Sequence, residues 1–228
     1  MINNDESNLR NISIDSTNQK CYKLKIILIG DSGVGKTSLL CRYMGENFDS
    51  DKPCTIYADY KIKAIKIDSL TSAEIVIWDT CGQEKYKSMT RQFFKDTQGV
   101  ILMFDVCDIR SFSNLNKWLE EIPKNSDQEK IPTVLCGNKS DLINRNISYD
   151  EAHDFAEENQ LLYCETSSKN GINVDSPFEL VTKEIIEKMK PRKKTEADFS
   201  FSINSSINTS TRAIKGKENK RKKEKGCC

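Results

Sequence analysis

Residues 30–37 read Gly-Asp-Ser-Gly-Val-Gly-Lys-Thr, a G-x-x-x-x-G-K-[ST] pattern. An apolar run, KLKIILIG (23–30), leads into it, and a helical pattern, KTSLLCRYMG (36–45), leaves it. A strand before and a helix after separate a phosphate-binding loop from a chance glycine turn. The glycines let the backbone wrap closely, so that its N–H groups point at phosphate oxygens. Lys36 is expected to reach the β- and γ-phosphates and Thr37 to offer its hydroxyl to Mg²⁺, while the helix directs its positive end at the anion. Asp31, Ser32, Gly33, Val34, Gly35 and Ser38 complete the candidate phosphate contacts.

Outward from this loop the chain alternates strands and helices. KIKAIKI (61–67) and EIVIW (74–78) flank SLTSA and predict an antiparallel hairpin. GVILMFDV (99–106), TVLCGN (133–138) and LLYCE (161–165) are near-continuous apolar runs, as strands buried on both faces should be. SFSNLNKWLEEI (111–122) predicts a helix starting at a Ser cap, and SYDEAHDFAEENQ (148–160) carries a Ser148–Glu151 capping-box spacing. DSPFELVTKEIIEKMK (175–190) has Pro177 near its first turn, where proline is tolerated. Such alternation implies a mostly parallel sheet with helices on both faces, whose ligands bind at the carboxyl ends of the strands.

Those strand ends carry further chemistry. Asp79 opens D-T-C-G-Q (79–83), and an acid there suits Mg²⁺, directly or through a water. Gly82 allows a close backbone approach to a terminal phosphate. Asn138-Lys139-Ser140-Asp141 follows a later strand. The Asp141 carboxylate can accept two hydrogen bonds from guanine N1–H and its 2-amino group, a donor pair adenine lacks. Lys139's stem can cover the base, and Asn138 can tie this loop to the phosphate loop. Glu165-Thr166-Ser167-Ser168-Lys169 supplies small residues whose N–H groups can meet the guanine O6.

Composition narrows the class. The 228 residues allow one full-sized core plus tails, with 37% hydrophobic and 30% charged residues. No apolar run approaches the ~18 residues that cross a bilayer, and the first twenty residues lack a secretory signal or a glycine at position 2. The expectation is a protein made and kept in the cytosol. From Pro191 to Cys228, eleven Lys/Arg face four acids, so a basic tail follows an acidic body. An acidic body argues against nucleic-acid binding. Seven of the nine cysteines are scattered singly, without a CxxC pair, and His153 is the one histidine. Zinc sites and Cys/His or Ser/His catalytic pairs are therefore poorly supported, and these thiols read as reduced and mostly buried.

In this order along the chain, the motifs resemble those of the Ras-like small GTPases over about Tyr22–Lys190. Within that superfamily they are most similar to the Rab family. Trp78 in EIVIWDT, KYKSMT (85–90), FFKDT (93–97), LMFDVCD (102–108) and the terminal Cys-Cys carry that likeness. The implied fold is α/β, of the P-loop NTPase type: a mostly parallel six-stranded sheet with one antiparallel edge strand and helices on both faces. The implied activity is hydrolysis of GTP to GDP by a monomer with Mg²⁺, held by Thr37, Thr55 and Asp79. By the same resemblance Phe48 packs on the nucleoside, and Thr55, nineteen residues after Lys36, binds Mg²⁺ when GTP is present. Gln83 falls where the attacking water is oriented. No arginine of the chain has an obvious place beside it, so a GTPase-activating protein is expected to supply one. An exchange factor, a GDP-dissociation inhibitor, prenylation machinery and effectors are the other implied partners. Ile56, Tyr60, Trp78 and Phe93 make the expected effector surface, and the aromatic three read equally well as a core cluster.

Two positions depart from the Rab pattern. Cys81 stands where Ala is usual, and Tyr57 where Gly is usual. Cys81 either slows hydrolysis or is a harmless small residue, with size favouring the latter. Tyr57 removes a residue that adopts positive φ and puts partner identity, more than nucleotide binding, in question. A non-hydrolysing GTP-binding membrane scaffold is the alternative these departures leave, and a Ras-like signalling switch outside traffic is a second.

The expected organisation is a disordered extension over 1–21, a GTP-binding domain over 22–190 and a flexible tail over 191–228. KGKENKRKKEKGCC reads as a nuclear signal, a solvated charge run or a membrane tether, and the two terminal thiols favour the last. Position 225 is Lys, which rules out a CaaX signal. The resemblance implies geranylgeranyl groups on Cys227 and Cys228. Two lipid chains plus a basic stretch anchor stably, which places the protein on the cytoplasmic face of intracellular membranes, cycling with the cytosol.

Overall fold

A computed structural model describes residues 12–14, 20–51, 55, 59–80, 93–126, 128 and 130–190. Those up to Met189 belong to one compact unit. The strands are β1 (Ile12–Ile14), β2 (Lys20–Ile29), β3 (Asp59–Lys66), β4 (Thr71–Asp79), β5 (Gly99–Asp105), β6 (Thr133–Asn138) and β7 (Leu162–Glu165). The helices are α1 (Lys36–Tyr43), α2 (Ile109–Ser113), α3 (Leu115–Asn125), α4 (Tyr149–Glu158) and α5 (Ser176–Met189).

The sheet runs β3-β4-β2-β5-β6-β7. β3 pairs antiparallel with β4 as the hairpin pattern predicts, and the other neighbours along this path are parallel. Successive side chains of a strand point to opposite faces, so the apolar runs of β2 and β5 serve two cores at once. Leu24, Ile26, Leu28, Ile101 and Met103 meet Leu39 of α1 and Phe178, Val181 and Ile185 of α5. Ile27, Ile29, Val100, Leu102 and Phe104 meet Leu115 and Ile122 of α3 and Ala152 and Ala156 of α4. Every residue of β5 is buried, which is why its sequence shows no polar alternation.

Two local features differ from the sequence reading. Part of the segment expected to be disordered forms a seventh strand: β1 pairs antiparallel with the start of β2, Ile12 opposite Tyr22 and Ile14 opposite Lys20. β2 accordingly begins at Lys20 rather than Lys23. Only Ile12 packs on the core, while Ile14 is 62% exposed, so three residues in polar surroundings carry almost no hydrophobic signal. The helix expected over 111–122 is two helices. The Asp108 carboxylate caps α2 by accepting the Arg110 N–H at 3.0 Å, and Asn114 joins α2 to α3. Ser111 is therefore not a cap. Its buried hydroxyl accepts the Asp105 N–H at 3.0 Å and donates to the Asp108 carbonyl at 2.8 Å. The Ser148 cap of α4 forms as expected, with the Glu151 N–H at 3.1 Å.

Among the described cysteines, Cys21, Cys41, Cys107, Cys136 and Cys164 are free thiols, three of them buried. The Cys164 thiol beside it and its complete burial push the Cys136 thiol well above the usual range.

The first core closes on an aromatic pair. Tyr43 at the end of α1 stacks on Phe178 with ring centroids 3.8 Å apart, and the Lys63 ammonium lies 3.6 Å from the Tyr43 ring centre. Phe178→Ala removes the ring on which Tyr43 stacks and leaves a cavity between α1 and α5. It is expected to cost about 3–5 kcal/mol, read as a lower midpoint in urea unfolding.

Candidate functional site

Parallel pairing brings the predicted motifs to one edge of the sheet. Leu28 of β2 lies opposite Asp79 of β4, Asp105 of β5 opposite Asn138 of β6, and Gly137 opposite Glu165 of β7. The carboxyl ends of β2, β4, β5, β6 and β7 are thus level, and residues 30–37 cross the first of them.

In that loop Gly30 (φ 137°) and Gly35 (φ 98°) sit where an L side chain is strained. Close approach adds a second reason. A Cβ on Gly30 would run into the Met103 carbonyl of β5, and one on Gly35 into the Asn138 amide. Gly35 also begins α1 without a side-chain cap, which leaves the first N–H groups of the helix to other acceptors. Val34 is buried beneath the loop, and Ser32 and Gly33 are exposed. Lys36 is only 5% exposed, and its ammonium donates to the carbonyls of Gly30 and Asp31 at 2.8 Å each.

Three oxygens meet at the start of α1. The Thr37 hydroxyl donates to Asp79 Oδ2 at 2.5 Å and lies 2.5 Å from the Thr55 hydroxyl. A hydroxyl has one proton, so with Thr37's given to the carboxylate, Thr55 is the donor to Thr37. Asp79 is 2% exposed, and the next residue is anchored by Thr80 Oγ1 donating to the Leu28 carbonyl at 2.6 Å. Two hydroxyls and a carboxylate are hard oxygen donors, the set that suits a small divalent cation such as Mg²⁺ completed by water and phosphate oxygens. The residues present fit that group.

The base-side loops converge on Asn138, which is 1% exposed. Its Nδ2 donates to the Val34 carbonyl at 2.9 Å, joining it to the phosphate loop. Its Oδ1 accepts from Thr166 Oγ1 at 3.0 Å, Ser168 Oγ at 3.1 Å and Ser168 N–H at 3.3 Å. Asp141 Oδ1 accepts from Ser167 Oγ at 2.6 Å, so the two predicted base loops touch. Lys139 adopts φ 65° and its ammonium meets Asp105 Oδ2 at 2.7 Å, which stretches the aliphatic stem across the end of β5. Ser167 and Ser168 are buried, Lys169 is exposed, and Phe48 is 37% exposed.

The aromatic three also come together. Tyr60 and Trp78 have centroids 5.1 Å apart, and Trp78 and Phe93 5.8 Å apart. Tyr60 is 51% exposed, whereas Trp78 packs against the second core, so the group is part surface and part core. The Lys25 ammonium lies 5.3 Å from the Trp78 ring centre and donates to the Lys95 carbonyl at 2.5 Å. Burial pushes its pKa down. Ile56, Tyr57, Cys81, Gly82, Gln83, Cys227 and Cys228 lie outside the described residues.

Asp31 also reaches outside the loop. Its carbonyl belongs to the phosphate loop, but its carboxylate turns to the α2–α3 junction, where Asn114 Nδ2 donates at 2.7 Å and Trp118 Nε1 at 2.8 Å. Asn114, Trp118 and Asp105 are residues around this site that the sequence did not single out. Trp118 reads as an ordinary apolar position of an amphipathic helix, and nothing in its own surroundings marks its N–H. Arg145 and Glu165, an ion pair that also receives the Tyr163 hydroxyl at 2.6 Å, brace the loops after β6 and β7.

The profile of the Ras family matches residues 25–187 of this chain. The chain is 38% identical over 164 residues to Ras-related protein Rab-18 of Lymnaea stagnalis, covering 72% of this chain and 81% of that one. It is 37% identical over 213 residues to Ras-related protein RABA4d of Arabidopsis thaliana, covering 92% and 95%. Against Ras-related protein SEC4 of Saccharomyces cerevisiae it is 36% identical over 205 residues, covering 89% and 94%.

Asn138→Ala strips the buried joint and leaves the Val34 carbonyl and the Thr166 and Ser168 hydroxyls to find other partners. Several buried polar groups then lose a hydrogen bond at once, and the expected cost is about 2–4 kcal/mol. Urea unfolding of the nucleotide-free protein checks it.

Proposed function

Since the chain belongs to the Ras family, and within it to the Rab GTPases, we propose that it is a GTP-hydrolysing switch of vesicle traffic whose working parts are the residues gathered at this sheet edge. The meeting of Thr55 with Thr37 and Asp79 carries the reading. Thr55 lies eighteen residues beyond Thr37 and brings a second hydroxyl to the Thr37–Asp79 pair, the oxygen donors that phosphate-bound Mg²⁺ requires.

Backbone N–H groups of residues 32–38, with Lys36, hold the phosphates. Asp141 accepts the two guanine donors, Lys139 covers the base, and Asn138 keeps both loops at one separation. Ser167, Ser168 and Lys169 close the base side, and Phe48 packs on the nucleoside. Thr37, Thr55 and Asp79 hold Mg²⁺, which supplies positive charge against the phosphate oxygens when bound. Gln83 orients the attacking water, and Gly82 gives its N–H to the γ-phosphate. Hydrolysis on such a site is a matter of alignment and charge. A partner's arginine adds the charge this chain leaves out.

The output is conformational. The γ-phosphate draws in Thr55 and Gly82 together, ordering the segments around them. Tyr60, Trp78 and Phe93, with Ile56, then offer an apolar surface to effectors. Exchange factor, GTPase-activating protein and dissociation inhibitor set how long that surface stays available. The domain over 22–190 does this work, and the basic tail, lipidated by the prenylation machinery on Cys227 and Cys228, holds it to the cytoplasmic face of an intracellular membrane.

Single-turnover hydrolysis of preloaded GTP with Mg²⁺ tests the reading. The wild-type protein is expected to hydrolyse slowly and Gln83→Leu about ten-fold more slowly. Equal, negligible rates would make Gln83 idle and favour a non-hydrolysing scaffold. Asp141→Asn replaces a double acceptor with a donor–acceptor pair. Affinity for GTP should fall by about a hundred-fold, two charged hydrogen bonds' worth, while xanthosine triphosphate, whose ring carries a carbonyl in place of the 2-amino group, should gain. Competition binding reads both.

A further inference from the structure

Asp31 puts a carboxylate inside the loop that must hold an anion, and the structure shows what is done about it. The side chain is turned away from Lys36, toward the α2–α3 junction. There one oxygen accepts the Asn114 amide at 2.7 Å and the other accepts the Trp118 indole N–H at 2.8 Å. Asn114 is itself held, because its Oδ1 accepts the Lys117 ammonium at 2.7 Å. Lys117 and Trp118 belong to the first turn of α3, and Asn114 is the residue that breaks α2 from α3. The helix break therefore puts an amide, an indole N–H and, one bond further out, an ammonium on the far side of the Asp31 carboxylate.

We infer that Asn114 and Trp118 are positioning residues for nucleotide binding: they clamp Asp31 so that its negative charge is compensated on the α3 side and its backbone is fixed in the phosphate loop. The inference rests on the reading of residues 30–37 as the phosphate-binding loop. Hydrogen bonds to a carboxylate draw its potential toward the donors. When a donor is removed, more of that potential reaches the phosphates. The same two bonds anchor the side chain of the residue whose carbonyl receives the Lys36 ammonium at 2.8 Å, so loosening them also frees the backbone that holds the loop's one cation. Both effects weaken anion binding, and a triphosphate, with its extra charge, suffers more than a diphosphate.

Trp118→Phe keeps the ring's bulk against the second core and removes only the N–H. Dissociation of fluorescent GDP and of a fluorescent non-hydrolysable GTP analogue, chased with unlabelled nucleotide, is measured on the full chain. The analogue is expected to leave about ten-fold faster and GDP about three-fold faster, the scale of one lost hydrogen bond to a charged group. Asn114→Ala removes the other donor and should act in the same direction, which keeps the test alive if Trp118→Phe does not fold. Circular dichroism and the thermal midpoint establish folding. Adding Asp31→Asn to either variant removes the charge and should bring the analogue's release back to no more than about three-fold faster than wild type, the remainder being the loosened loop. A clamp that only packs the helix against the loop would not be rescued by a neutral amide. Unchanged release in both variants overturns the inference, as does equal acceleration of both nucleotides without rescue. A wild-type chain that retains no guanine nucleotide overturns the reading of the loop and the inference with it.

Discussion

One buried amide sets the distance between the two halves of the site. Asn138 joins the phosphate loop, through the Val34 carbonyl, to the loop after β7, through Thr166 and Ser168. It does so from the end of β6, whose neighbours β5 and β7 are in register with it. A nucleotide that spans a base pocket and a phosphate loop needs that separation held to a fraction of an ångström. Loops by themselves do not hold such distances. An amide can, because it donates on one side and accepts on the other, and because burial makes the loss of either bond costly.

The glycines of the phosphate loop follow from that constraint as much as from the phosphate. Gly35 is tied by its positive φ, but also by the Asn138 amide, which occupies the place its Cβ would take. Gly30 is tied in the same way by the backbone of β5. The loop is thus pressed against two neighbouring strands, and its shape belongs to the sheet. The Asp31 carboxylate adds a third hold, on α3. Three separate contacts leave the loop little freedom, which suits a site whose chemistry is alignment.

Thr55 and the aromatic group lie on the other side of the site. Thr55 reaches Thr37 through one hydroxyl contact, and the aromatic group of Tyr60, Trp78 and Phe93 packs through rings that are partly in water. Tyr60 and Trp78 face each other across the paired strands β3 and β4, and Trp78 packs against the second core.

The sequence alone determined the alternation of strands and helices from β2 onward, the glycine-rich loop, and the motifs that the sheet levels at the ends of β4, β6 and β7. These are legible because each depends on a local requirement: glycine for backbone shape, apolar periodicity for strand or helix, a cap at Ser148. Where local signals competed or were faint, the reading went astray. Three residues of β1 were too few to show a pattern, and Asp108 outcompeted Ser111 as a cap. Only the tertiary structure decided the partners. The Trp118 indole and the Asp31 carboxylate are 87 residues apart in the chain, and the Asn138 amide and the Val34 carbonyl are 104 apart. No spacing within a strand or helix predicts such meetings. They exist because parallel pairing levels the strand ends, and because a buried polar group takes the nearest partner that packing offers.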